Sequence, residues 1–211
     1  MRDILPEHRL RRPVPLGRWI LATSLGWVVG VPIMILIGAG AEAVGLREGQ
    51  FAAGLGMGAT VGFLQWRQAR RSFGATSAWF WASAVGMTCP FALCDLVSYS
   101  LDGWALIAPT ALGALLVGLG QHRLFGIRGV RTYCWAPASV IAWALAAATS
   151  LALLAIPSHP TSGLLQWLRP LLAFGSGGIV LSFITGNVLV WLFRSPPYTR
   201  MQPTTGVGRE W

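Results

Sequence analysis

WILATSLGW at residues 19–27, WFWASAVGM at 79–87 and WAPASVIAW at 135–143 are one signature written three times. Each begins with Trp, has Ala three positions later and a small residue four positions after that: Trp19, Ala22, Gly26; Trp79, Ala82, Gly86; Trp135, Ala138, Ala142. Each opens a long apolar segment. Small residues four apart share one helix face and let helices approach backbone to backbone, as helices do where no water is expelled between them. Copies 60 and 56 residues apart leave room in each for an out-and-back hairpin. The fold this implies is an all-α, six-helix transmembrane bundle built from three tandem helical hairpins.

Composition agrees. Hydrophobic residues make up 54% of the 211 and charged ones 11%, too few charges for a water-facing surface. Apolar stretches long enough to cross a bilayer predict helices over 19–41, 51–67, 76–97, 104–124, 134–156 and 171–193. The domain organisation follows: a basic arm at 1–18, a transmembrane domain at 19–194 with hairpins 19–67, 76–124 and 134–193, and a Pro- and Gly-containing tail at 195–211. Neither terminal segment has a hydrophobic period, so both are expected to be unfolded alone. The first apolar run is longer than a signal-peptide core and carries the signature of the later helices, so it is expected to remain in the mature protein.

Every one of the 16 basic residues is Arg. All but Arg47 and Arg169 precede the first helix or follow the second, fourth or sixth, whereas Glu42, Glu48, Asp95 and Asp102 fall on the opposite side. The positive-inside rule then puts both termini in the cytoplasm. The net charge of +9 is an asymmetry across a membrane that favours anionic lipid on the inner face, and no nucleic-acid partner is expected.

The even helices carry a second stripe. Gly54, Gly58, Gly62 and Gln65 are matched 56 residues on by Thr110, Ala114, Gly118 and Gln121, and more loosely by Phe174, Gly178, Ser182 and Thr185. The odd helices show Ala22, Gly26 and Gly30, then Ala82, Gly86 and Pro90. Three hairpins of one orientation predict a ring with a pseudo-three-fold axis along the membrane normal. These glycines are read first as packing positions, with a pore lining as the alternative. Gly62 to Arg67, GFLQWR, together with the Trp-Ala-Gly openings, resembles a group of bacterial multi-pass membrane proteins with repeated Gly-x3-Gly-x2-Gln-Trp hairpins. The resemblance spans most of residues 17–194, implies a bacterial inner-membrane protein and implies no activity. The chain departs from it at His122 and at Thr185-Gly186. A further GLLQWLR at 163–169 is out of phase and reads as a short interfacial helix.

Candidate chemistry is sparse. Gln65, Gln121, Thr185 and Asn187 form a candidate polar collar, either lining a solute path or hydrogen-bonding between helices. Asp95 is the acidic residue within a predicted helix, a candidate ion or proton site or else a rim residue paired with Arg47. His122 is the candidate pigment or haem ligand, although beside Arg123 it also reads as a polar helix end. Cys89, Cys94 and Cys134 are read as buried, inert thiols without a disulfide. No metal site is expected. Gly175-Ser176-Gly177-Gly178 has no helix-borne His partner, so a hydrolase is not supported and the chain reads as a non-enzyme. No cofactor is expected, with pigment, haem or quinone as the alternatives. The function that fits is a structural or accessory subunit docking on a membrane-protein partner or a second copy of itself; a small transporter or channel is the rival, and a pigment- or quinone-binding subunit the third reading.

Overall fold

The computed structural model describes residues 15–46, 49–97, 101, 103–125, 130–156 and 164–194. The arm through residue 14, the tail from 195, Arg47, Glu48, Asp102, Arg128 and His159 lie outside the described residues. Six helices follow in chain order: α1 Leu16–Ala43, α2 Phe51–Phe73, α3 Ala78–Leu96, α4 Ile107–His122, α5 Trp135–Ala155 and α6 Leu164–Arg194. Short 3-10 turns, Gly103–Leu106 and Val130–Cys134, lead into α4 and α5.

Each helix packs on the one before it and the one after it, and α6 returns to pack on α1, so the six close into a ring in chain order. Glycine makes this approach close at every one of the six interfaces. A Cβ added to Gly26 of α1 would lie 2.8 Å from Val61 Cα of α2; on Gly58 of α2 it would lie 2.6 Å from the Ser83 carbonyl oxygen of α3; on Gly86 of α3, 2.9 Å from Val117 N of α4. The remaining three repeat the device: Gly118 against Ala136 Cα at 2.7 Å, Gly177 against the Ala146 carbonyl oxygen at 2.6 Å, and Gly178 against Ser24 Cα at 3.1 Å. Gly30, Gly54 and Gly62 meet Met57, Met87 and Ser83 in the same way. The glycine stripes are therefore packing positions, as helices use them where dispersion and not water expulsion drives association.

Apolar side chains cover the outside of the ring as well as filling its core. Large apolar residues face outward, among them Leu21, Leu25 and Ile35 on α1, Trp81 and Val85 on α3, Leu112 and Leu119 on α4, Ile141 and Leu145 on α5, and Ile179 and Phe183 on α6. Thr23, Gln65, Ser83, Gln121, Ser150, Ser182 and Thr185 are buried. Four helical stretches are long and apolar enough to cross a membrane: Leu16–Ala43, Gly103–His122, Thr132–Ala155 and Leu168–Phe193. The sequence predicts six such spans; α2 and α3 fall short of that measure. The reason is composition, since α2 carries Gln65, Arg67, Gln68, Arg70 and Arg71, and α3 combines polar residues with Asp95 in its last turn.

Two further expectations change. The interfacial helix expected at 163–169 is the beginning of α6, which runs unbroken through Pro170 to Arg194. Pro170 is the seventh residue of that helix and cannot donate the backbone bond that another residue there would make to the Gln166 carbonyl, yet the helix continues past it. The thiols also differ: Cys89 and Cys134 are exposed and Cys94 half-buried, because they fall on the outward side of the ring, and all three are free. The second helix ends later than expected, at Phe73, where Gly74 takes a left-handed φ of 75° and its N–H returns to the Arg70 carbonyl.

Candidate functional site

The first and last residues of the threefold signature are eight apart, two helical turns or roughly 12 Å along an axis. They build two layers of the ring interior. Trp19, Trp79 and Trp135 form the first layer, each essentially without solvent exposure. Trp79 is its centre, with ring centroids 6.3 Å from Trp19, 5.8 Å from Trp135 and 5.4 Å from Phe125. Phe73, Phe125 and Phe193 pack into the same cluster at the ends of α2, α4 and α6. Ring faces and edges meeting at such distances add to the burial of area itself. This buried aromatic layer lies at the end of the ring where Arg18, Arg67, Arg70, Arg71 and Arg123 fall in the sequence.

Beside that layer, polar side chains tie neighbouring helices. Trp135 Nε1 donates to Gln121 Oε1 at 2.9 Å, and Gln121 Nε2 donates to Ser83 Oγ at 2.9 Å, which in turn donates to the Trp79 carbonyl. One glutamine thus links α5, α4 and α3. Gln65 Nε2 donates to Thr23 Oγ1 at 3.3 Å, linking α2 to α1. Trp19 Nε1 donates to Thr185 Oγ1 at 3.1 Å, and Ser24 and Ser182 hydroxyls meet at 3.1 Å, so α6 is tied to α1 where the ring closes. Three of the four expected collar residues are therefore buried and bonded between helices. Asn187 does not join them: it is exposed, and its Nδ2 donates to the Phe183 carbonyl of its own helix. It lies two positions past Thr185, which rotates it toward the outward face.

The hydroxyls that receive or extend these bonds were not singled out from sequence. Thr23 and Ser83 each sit four residues after the signature Trp, as does buried Ser139, so a Trp-x3-Ser/Thr pattern inside the signature was the available signal. Trp79 breaks the pattern. It occupies the place of Trp135 one copy earlier, yet its Nε1 is buried and has no partner.

The second layer consists of Trp27, Met87 and Trp143, with Trp27 and Trp143 rings 5.0 Å apart. Beyond it, toward the far end, lies a partly open cavity of ≈ 150 Å³ to which all six helices or their lead-in turns contribute, including Met34, Met57, Phe91, Leu106, Thr110, Ser150 and Phe174. The Thr110 and Ser150 hydroxyls donate to the Leu106 and Ala146 carbonyls of their own helical turns. Trp27 Nε1 is buried without a partner. A sealed donor left unpaired costs about 1–3 kcal/mol.

At the far end, ionisable residues cap helices. Asp95 accepts the Gln50 N–H on Oδ1 at 2.9 Å and the Phe51 N–H on Oδ2 at 2.8 Å, so its carboxylate sits on the first turn of α2. Gln50 Oε1 in turn accepts the Leu101 N–H at 2.8 Å. Anions are favoured at a helix N-terminus by its free amides and its dipole. Arg169 does the reverse for α5, donating to the Leu154 carbonyl at 2.5 Å and to the Ile156 carbonyl. At the opposite face, His122 Nδ1 lies 2.9 Å from the Thr132 carbonyl oxygen and its ring stacks on Tyr133 at 4.8 Å. That contact makes His122 a joint between α4 and the turn before α5. Among the described residues there is no cluster of three or more metal-ligating side chains.

Comparison of the chain with protein-family models, curated proteins and solved structures gives no match in any of the three.

Proposed function

We propose that this chain is a non-enzymatic integral membrane protein of the bacterial inner membrane that acts as a structural or accessory subunit of a larger assembly. In this reading all six helices cross the bilayer, α2 and α3 being carried between the apolar α1 and α4 that flank them in the ring. The three hairpins are related by a pseudo-three-fold axis, and both termini are cytoplasmic. The clustering of Arg18, Arg67, Arg70, Arg71 and Arg123 at one end supports that orientation, and anionic lipid is the expected partner of this face. Arg70 lies over the Trp66 ring at 5.7 Å, an arrangement suited to an interfacial anchor.

One observation carries the reading: Gln65, Gln121 and Thr185 inside the ring bond helix to helix, and Trp19, Trp79 and Trp135 pack together as a buried aromatic cluster. A path for a solute needs polar groups facing a continuous space. Here Gln65, Gln121 and Thr185 serve as interhelical links, Asn187 faces outward and Asp95 caps α2. What remains for interaction is the outer apolar surface and the two terminal segments.

The test is gentle extraction of tagged protein from its own membranes, with native mass, subunit content and an absorption spectrum measured on one fraction. Stoichiometric membrane-protein partners, or a second copy of the chain, are expected. A lone chain that, in liposomes, conducts ions or small solutes would overturn the proposal in favour of a channel or transporter.

A further inference from the structure

We propose that the outward groove where α2 turns into α3 holds the headgroup of one anionic glycerophospholipid, with its phosphate on Arg70 and its acyl end along a row of aromatic rings. The proposal rests on the membrane reading above and adds a defined lipid site to the general attraction of an Arg-bearing face. The turn is fixed first. Gly74 takes its left-handed φ of 75°, its N–H returns to the Arg70 carbonyl and the Ala75 N–H to the Ala69 carbonyl, and Ala75 is buried in the aromatic cluster. This holds Thr76 and Ser77 beside Trp66 and Arg70, and with Gly74 and Ala75 they line one open groove.

Charge names one end of the occupant. Arg67, Arg70 and Arg71 are exposed on one face of α2, and like charges three or four residues apart on a helix repel unless an anion joins them. The carboxylates among the described residues, Glu42 and Asp95, both belong to the other end of the ring. Arg70 is held over the Trp66 ring, 5.7 Å from its centroid. Ser77 precedes α3 without making the capping bond that serine favours there, so its hydroxyl is open to a ligand beside that of Thr76. The repeat supplies a contrast: 56 residues on, Trp66 and Arg70 are replaced by His122 and Gly126, so the shared frame does not require the pair. The aromatic row names the other end. Trp66 lies 5.8 Å from Phe63, Phe63 6.3 Å from Phe80, and Phe80 4.8 Å from Trp81, with Phe63 and Trp81 exposed. Phe63 is about one turn before Trp66 on α2, so the rings lead from the groove along the outward face, away from the Arg-bearing end. A ligand charged at one end and apolar along its body fits both features, whereas a free phosphate uses only the first.

Full-length protein in an uncharged detergent is titrated with phosphatidylglycerol and read by native mass spectrometry, with phosphatidylcholine and soluble glycerol phosphate as comparisons. One saturable phosphatidylglycerol per chain is expected, bound about tenfold more tightly than either comparison. Arg70→Gln should weaken it about tenfold, the loss of one hydrogen bond to a charged group. Arg123→Gln removes an equal charge at the matching end of the next hairpin and should leave the affinity unchanged. Both side chains are exposed, so neither substitution disturbs the packed core. Equal weakening by the two variants would mean diffuse attraction to the whole face and would overturn the proposal. Equal affinity for phosphatidylcholine would overturn it by showing that the headgroup charge is not read. Glycerol phosphate bound as tightly as the lipid would overturn it in favour of a soluble phosphate. Each of these failures leaves the membrane and subunit readings intact, whereas release of the chain from its membranes by alkaline carbonate would overturn the membrane reading itself.

Discussion

The two ends of the ring are closed by different means. At the Arg-bearing end the same signature position recurs as Trp19, Trp79 and Trp135, whose rings pack on Trp79, and two of the three donate to a neighbouring helix, Trp19 to Thr185 and Trp135 to Gln121. At the far end recurrence is partial: Asp95 caps one helix, Arg169 another, and the second layer combines the repeated Trp27 and Trp143 with Met87 beside an unfilled cavity. Repetition of a residue gives closure wherever its copies converge. Where the copies have diverged, each joint is made individually and space is left over.

The frame common to both ends is the close helix approach, and breaking it should have the largest effect. Gly58→Ala places a methyl group 2.6 Å from the Ser83 carbonyl oxygen and 2.7 Å from Met87 Cβ, so α2 and α3 must separate. We expect a loss of about 3 kcal/mol, the upper part of the range for overpacking, read as a lower thermal midpoint in one detergent. Gly40 has nothing within 4 Å of the equivalent position, so Gly40→Ala should leave the midpoint unchanged or raise it. Equal losses in the two variants would mean that the glycines act through backbone freedom and not through contact.

The next effect lies within the Arg-bearing end. Gln121→Leu leaves the Trp135 N–H buried without an acceptor, a loss of about 1–3 kcal/mol. Gln65→Leu removes only the longer 3.3 Å bond to Thr23, since Trp79 Nε1 is already unpartnered, and should cost less. Thermal midpoints of the two variants give the order. If Gln65→Leu is the worse, Trp79 bonds Gln65 in the folded protein as Trp135 bonds Gln121, and the three copies are more alike than the hydrogen bonds indicate.

Much of this frame was legible in the sequence because it depends on periodicity. Trp-Ala-Gly and Gly-x3-Gly stripes report helix faces directly, and all six helices follow, with Gly26, Gly58 and Gly86 each closely approached by the next helix. The site was less legible. Gln65, Gln121 and Thr185 were visible as a repeated position, but whether such a group faces a path or a neighbouring helix depends on rotation by one or two residues; the same uncertainty misplaced Asn187. The hydroxyl partners Thr23 and Ser83 were hidden inside a signature read for its small residues. The cavity was not legible: Trp27, Met87 and Trp143 repeat at its walls, but whether such side chains fill the space between them depends on their rotamers and on the unlike residues beside them.

The smallest expected effect separates a cap from a coupling site at the far end. Asp95 receives two N–H groups at the start of α2, so its work there depends on its acceptor oxygens. Asp95→Ala removes both acceptors and should lower stability by about 1 kcal/mol, as the loss of a helix cap does. Asp95→Asn retains one acceptor oxygen and should cost a few tenths of that, and roughly as little as any conservative rim substitution, because asparagine caps helices about as well as aspartate. A carboxylate that carried an ion or proton would behave in the opposite manner, since Asn would preserve stability while removing the charge on which transport depends. Asp95→Asn protein that is as stable as the parent yet loses a proton or cation flux measured in liposomes would therefore turn the far end from a capped rim into a coupling site.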